Sequence, residues 1–374
     1  MKYYLIAGEA SGDLHGSNLM KQIAAIDKNA NFRFWGGDKM SVIGGKPVKH
    51  IKELAFMGFL EVLLNIRTIL RNFSICKNDI IQYKPDVLIL IDYPGFNLRM
   101  AKFAKENGIK VIYYISPQIW AWKQSRVHKI KNCVDKMLVI LPFEKDFYAK
   151  FDFNADFVGH PLLDALNNDF FETNKNDFIK INILNNKPIV AILPGSRKQE
   201  ITKMLKIMTE TASKFADYQF VVAGMSSQPI ELYQRFLIDS EIKIIFDKTY
   251  ELLKHSEAAI VVSGTATLET ALIGTPQVVC YKGGKLSYHI AKKLVKINYI
   301  SLVNLIMDKH VVKELIQNDF NNKNLTTELS ELLNNKEYRN TIIDEYKILK
   351  QKLGGIGASQ KAAEIIKNFL TTHE

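Results

Sequence analysis

Short runs of β-branched and aliphatic residues recur along the chain, and stretches of helical period separate them. In the first half the runs are YYLIA (3–7), FRFWG (32–36), DVLILID (86–92), KVIYYIS (110–116) and KMLVIL (136–141). Helical patterns lie between them near 14–26, 59–82, 96–107 and 143–150. The runs are continuously apolar rather than alternating, as expected of strands buried on both faces, so the alternation predicts a parallel sheet sandwiched by helices. After GHPLLD (159–164) a polar, Asn-rich passage breaks the rhythm and reads as a linker with one short helix, 165–187. The alternation restarts with PIVAILP (188–194), QFVVAG (219–224), IKIIF (242–246), AAIVVS (258–263) and QVVCY (277–281). Helices are expected near 199–215, 229–239, 249–256, 266–273 and 285–296, and the tail from about 309 is helical, closing on KAAEIIKNFL (361–370). The expected fold is therefore α/β: two Rossmann-like domains, 1–164 and 188–374, the second carrying the tail.

Composition narrows the class. A chain of 374 residues is too long for one core and comfortable for two. No apolar stretch approaches the roughly 18 residues that a membrane span needs, and the chain enters its first strand without a signal-peptide pattern. A cytoplasmic protein is expected. Cys76, Cys133 and Cys280 are scattered, which fits buried thiols in a reducing compartment. A net charge of +11 favours anionic partners: nucleic acid, lipid headgroups or phosphorylated small molecules. No nucleic-acid-binding motif accompanies it, so nucleic acid is not expected.

In open α/β sheets ligands bind at the carboxyl ends of the strands, and four such ends are unusual here. GEASGDLHG follows the first strand and matches neither the dinucleotide nor the P-loop fingerprint. Gly8 and Gly12 would let backbone approach a ligand, Asp13 could cap the next helix, and Glu9 disfavours a phosphate. A plain turn and a sugar-binding corner both fit. DVLILIDYPGFN places Asp92 at the end of a buried strand, where low dielectric would make it a better base; a helix cap is the competing role. In AILPGSRKQEI, the N–H groups of Gly195 and Ser196, the helix dipole and Arg197 make a diphosphate site, with Glu200 placed to orient Arg197. In IVVSGTATLETALIGTPQVV, Gly264, Thr265, Ala266 and Thr267 present small side chains at a helix start, and Glu269 could accept hydrogen bonds from a ribose diol. Two such loops in one domain form a nucleotide-diphosphate pocket.

Further along the same helical logic, Phe59, Val62, Leu63, Ile66, Leu70 and Phe73 line one side of LAFMGFLEVLLNIRTILRNF. That stripe fits a core helix and an interfacial one equally. No D-x-D and no His/Cys cluster occurs, so neither a bound metal nor any other cofactor is expected.

SGTATLETALIGTPQVV resembles the donor-nucleotide motif of GT-B glycosyltransferases. GEASGD, DYPGFN, SPQIWAW, LPFE, GHPLLD, LPGSR and SLVNL, in that order, resemble the lipid-A-disaccharide synthases of Gram-negative bacteria, from the first strand to about residue 315. SLVNL departs from the family in lacking a proline before Asn304. The resemblance implies a GT-B architecture with a cleft between its two domains. It also implies an inverting transfer of 2,3-diacylglucosamine from UDP-2,3-diacylglucosamine to 2,3-diacylglucosamine 1-phosphate, at the cytoplasmic face of the inner membrane. It casts Asp92 as base with Glu9 as rival or helper. It implies that Gly195, Ser196 and Arg197 hold the diphosphate, aided by Thr265, Ala266 and Thr267, that Glu200 and Gly264 also belong to the donor site, that Glu269 takes the ribose and that Asn304 contacts the donor. Ser11, Gly12 and Asp13 fall on the acceptor side, and Phe59, Val62, Leu63, Ile66 and Leu70 on the membrane side. Dimers that exchange C-terminal segments occur in such a family. The alternatives are an isomerase resembling UDP-N-acetylglucosamine 2-epimerase and a non-catalytic nucleotide-sugar-binding module at a membrane surface.

Overall fold

The apolar runs do form strands, and parallel pairing assembles them into two sheets. A computed structural model describes residues 1–54, 66–122, 124–166, 174–237, 241–284 and 298–372. The chain divides into two units, Met1–Ala165 with Leu353–Glu374, and Leu166–Lys352.

In the first unit, strands β1 (Lys2–Ala7), β2 (Asn31–Gly36), β3 (Lys49–His50), β4 (Val87–Ile91), β5 (Lys110–Tyr114), β6 (Lys136–Val139) and β7 (Ala155–Phe157) lie in the order β3-β2-β1-β4-β5-β6-β7. Helices α1 (Ala10–Ile26), α2 (Asp38–Gly44), α3 (Ile66–Tyr83), α4 (Pro94–Glu106), α5 (Ile119–Trp122), α6 (Arg126–Cys133), α7 (Pro142–Ala149) and α8 (Leu162–Leu166) connect them. Every pairing is parallel. The strand order reverses between β1 and β4, so the loops leaving these two strands diverge and open a crevice at their carboxyl ends.

The second unit repeats the plan with α9 (Lys175–Ile181), β8 (Ile189–Leu193), α10 (Lys198–Ala212), β9 (Gln219–Gly224), α11 (Ile230–Gln234), β10 (Lys243–Phe246), α12 (Thr249–Lys254), β11 (Ser256–Val262), α13 (Thr265–Ile273), β12 (Gln277–Tyr281), α14 (Leu302–Met307), β13 (Glu314–Ile316), α15 (Asn322–Asn334) and α16 (Lys336–Lys352). Its order is β10-β9-β8-β11-β12-β13, with the reversal between β8 and β11. Both reversals fall beside loops singled out by their sequence.

Two boundary expectations need correction. The last helix, α17 (Ala358–Thr372), belongs to the first unit. Its apolar face, Ala362, Ala363, Ile366 and Leu370, packs into the core with Leu5, Leu19, Ile89 and Ile112. Amphipathic spacing announces a face but not the surface that covers it. The passage 165–187 is also more than a linker, because Phe178 on α9 is fully buried with Ile189, Ala191 and Leu252.

GHPLLD anchors the tail. Asp164 accepts the N–H groups of Gly357 (2.6 Å) and Ser359 (2.8 Å), capping α17, and the Leu353 carbonyl accepts from His160 N. Burial lowers His160 to about 3 and His15 to about 4; the His15 charge adds to the first effect and Asp164 opposes the second. As pH falls through about 6.5 the unfolded chain takes up a proton on each imidazole, while the folded chain does so only near those lower values. Stability should therefore drop on acidification across that window, by up to about 1.4 kcal/mol per pH unit for each histidine. Denaturant melts of His160→Asn between pH 7 and 4 should give a shallower slope than wild type; an unchanged slope would show that these imidazoles are not the acid-sensitive groups.

Candidate functional site

At the switch point of the first sheet, DYPGFN folds into a strained connection. Asp92 and Tyr93 both have left-handed backbone conformations, φ 46° and 49°. Two such non-glycine residues in a row cost on the order of 1–3 kcal/mol each and persist only where the surroundings enforce them. Here they do. The buried Asn97 donates its amide to the Asp92 carbonyl (2.7 Å) and to that of Ile91 (3.2 Å), and the Tyr113 hydroxyl donates to the Asp92 carbonyl (2.6 Å). Tyr93 lies flat against Gly8, where a Cβ would come within 2.4 Å of its ring. Phe96 follows on one side of Tyr93, stacked in turn on Phe73 at 4.5 Å. The Asp92 carboxyl is half-buried and raised to about 6, chiefly by desolvation and then by the negative charge of Glu9. Two carboxylates from adjacent strand ends thus share one corner, one of them tuned toward a base that works near neutral pH.

The rest of GEASGD plays other parts. Ser11 is exposed at the same edge. Gly12 is buried, with room for no more than a close approach to Ala7. Asp13 does not cap α1; it is 4% exposed and accepts the N–H groups of Gly37 (2.7 Å), Lys39 (3.0 Å) and Met40 (3.0 Å), capping α2. Its partners lie over twenty residues away, which local spacing does not reveal.

In the second unit, Gly195 turns the chain out of β8 with φ 98°, and a side chain there would collide with Glu200 at 2.4 Å. The Glu200 carboxylate accepts the N–H groups of Ser196 (3.1 Å) and Arg197 (3.2 Å), and its other oxygen lies 3.5 Å from the Arg197 guanidinium. Glu200 therefore does more than orient Arg197: it fills backbone donors that a phosphate would use. Arg197 itself is largely exposed.

Across the β8–β11 switch point, Gly264 and Thr265 are exposed and Ala266 half-buried at the start of α13. Thr267 is fully buried, its hydroxyl donating to the Gly264 carbonyl (2.8 Å), so it holds the loop instead of reaching outward. Glu269 is raised above the usual carboxylate range by burial, partly offset by a hydrogen bond from the Tyr250 hydroxyl, a partner the sequence did not suggest. Asn304 is also corrected. It is fully buried, its amide donating to the Val312 carbonyl (2.8 Å) and Glu314 (2.9 Å) while its oxygen accepts Val311 N (2.8 Å) and Val312 N (2.9 Å). Glu314 also accepts Ser301 N and Oγ, and Ser263 Oγ donates to the Ile300 carbonyl (2.9 Å). Asn304 therefore supports the loop behind Ser263 rather than offering an amide to a donor.

Of the membrane candidates, Phe59, Val62 and Leu63 lie outside the described residues. Ile66 begins α3, Leu70 is 56% exposed, and Phe73 is buried against Phe96, so the described part of the stripe is split between surface and core. No described helix is long and apolar enough to cross a membrane.

The comparisons with known proteins agree with this layout. Residues 3–368 match the profile of the family described as Lipid-A-disaccharide synthetase. Lipid-A-disaccharide synthase of Trichlorobacter lovleyi is 38% identical over 98% of this chain and 97% of its own. That of Coxiella burnetii is 38% identical over 98% of each. Among solved structures, a UDP-N-acetylglucosamine 2-epimerase of Methanocaldococcus jannaschii in complex with UDP-GlcNAc and UDP superimposes with a TM-score of 0.67 at 14% identity, over 98% of this chain and all of that one. The glycosyltransferase of kitacinnamycin does so with 0.64 at 12%, over 98% of each. Those two likenesses establish the two-sheet GT-B fold; the full-length relatives establish more. The chain belongs to the lipid-A-disaccharide synthetase family, glycosyltransferases of lipid A biosynthesis.

Proposed function

We propose that the chain transfers 2,3-diacylglucosamine from UDP-2,3-diacylglucosamine to the 6-hydroxyl of 2,3-diacylglucosamine 1-phosphate with inversion, releasing UDP and forming a β-1,6 bond. The observation that carries this reading is the braced Asp92 beside Glu9, with a carboxyl raised to about 6. A single displacement at an α-linked donor needs one base on the incoming hydroxyl and positive charge on the departing diphosphate. Asp92 takes the hydroxyl proton as the oxygen attacks the anomeric carbon, and the bond to the diphosphate breaks toward Arg197 and the N–H groups around Gly195. Gly264, Thr265 and Ala266 add donors at the start of α13, and Glu269 takes the ribose. Glu9 and Ser11 face the acceptor. Both substrates carry acyl chains, so the protein works at the cytoplasmic face of the inner membrane, with the stripe through Leu70 toward the lipid.

The epimerase plan shares the fold but not the requirement for an acceptor. Purified protein given donor alone should leave it unchanged, and adding the 1-phosphate acceptor should yield disaccharide and free UDP in equal amounts. Conversion of donor without acceptor would replace this reading with the isomerase.

Glu200 gives a second check. If the diphosphate takes the N–H groups that Glu200 now fills, the carboxylate is a resident competitor. Glu200→Gln should then bind UDP more tightly, by about tenfold, the worth of one charge-assisted hydrogen bond. Titration calorimetry reads this directly; weaker binding would mean that Glu200 serves the donor by aiming Arg197.

A further inference from the structure

Two quoted motifs, SPQIWAW and LPFE, have no part in the chemistry above, yet they meet. Glu144, on the first turn of α7, is 1% exposed. Its Oε1 accepts the Trp120 indole N–H (3.2 Å), and its Oε2 accepts Leu141 N (3.0 Å) and Ile140 N (3.3 Å) at the end of β6. The Ser116 hydroxyl, which donates to the Pro117 carbonyl (3.1 Å), lies 2.7 Å from the Tyr148 hydroxyl. All three hydrogen-bonding partners are N–H donors, so an ionised carboxylate, which only accepts, satisfies all of them and an amide cannot. The segment it grips leaves β5 through Ile115, a β-branched residue at φ 68°. Such a residue is a genuine outlier there, and strain of this kind collects at functional sites. β5 is the direct neighbour of β4, which ends at Asp92. The strained positions 92, 93 and 115 therefore share one edge of one sheet.

We propose that Glu144 is a positioning residue for the acceptor: by holding the Trp120 indole it fixes the 115–122 segment at the strand edge that carries Asp92. The proposal rests on the transferase reading. A role limited to capping α7 would give Glu144 the same backbone contacts but no use for the indole.

The test compares Glu144→Gln, Trp120→Phe and the double variant with wild type, using the 1-phosphate acceptor and the UDP donor. Each single variant should raise the acceptor KM about tenfold through misorientation, with kcat within about twofold and UDP affinity unchanged. The double variant should be no worse than either single one, because both remove the same contact. Trp120 emission, taken as the difference between wild type and Trp120→Phe, supplies a signature that a cap alone would not give. Burial raises Glu144 to about 7, and its titratable neighbour Tyr148 is raised far above that range. The emission should titrate near pH 7 in wild type and not in Glu144→Gln.

An unchanged acceptor KM in Trp120→Phe, or additive effects in the double variant, would overturn the proposal even if Glu144→Gln failed to fold. Conversion of the donor by wild type without acceptor would instead remove the transferase reading beneath it.

Discussion

An Asp92→Asn variant is expected to fold, to bind UDP as the parent chain does, and to lose turnover by about 10²–10⁴, the usual worth of a general base. Asn tolerates the left-handed region as well as Asp does, and the carbonyl gripped by Asn97 and Tyr113 is unaltered. Only the proton acceptor is lost. Wild-type kcat/KM should fall as pH drops through about 6, because protonation removes the base, and should decline about tenfold per unit below it. Steady-state rates across pH 5–8, with calorimetry for UDP, check both halves. Turnover retained in the variant would move the base elsewhere, with Glu9 the first candidate.

Arg197→Ala is expected to lower kcat/KM by about 10²–10³, the loss seen when one preorganised group that stabilises developing charge is removed. Arg197→Lys should recover only part of this, since a point charge cannot grip two oxygens as the guanidinium fork does. Arg197 is largely exposed, and the backbone N–H by which it joins the cap of α10 stays in the variant, so thermal stability should barely move. A parallel loss of melting temperature would assign the effect to folding instead.

The strands that carry the site were legible because each is buried on both faces, which writes an uninterrupted apolar run into the sequence. β3, β7 and β13 were not, being two or three residues long and too short to carry a period. The candidate site was legible where a residue type is unusual for its place, as with Asp92 closing VLILI and Arg197 after Pro-Gly-Ser. It was illegible where the role depends on a remote partner. Asp13 reads as a local cap until α2 arrives to claim it. Asn304 reads as a ligand-facing amide until Val311, Val312 and Glu314 saturate it. Glu144 sits in a quoted motif, but nothing local says that Trp120 lies against it.

The proposed reaction divides its labour, with the base in the first unit and the diphosphate in the second. A crystal structure with UDP tests it most directly. The diphosphate should be bonded to Arg197 and the N–H groups of Ser196 and Arg197, the Glu200 carboxylate displaced, and the ribose on Glu269. Nucleotide found against Gly8 and Ser11, with Arg197 untouched, would contradict it.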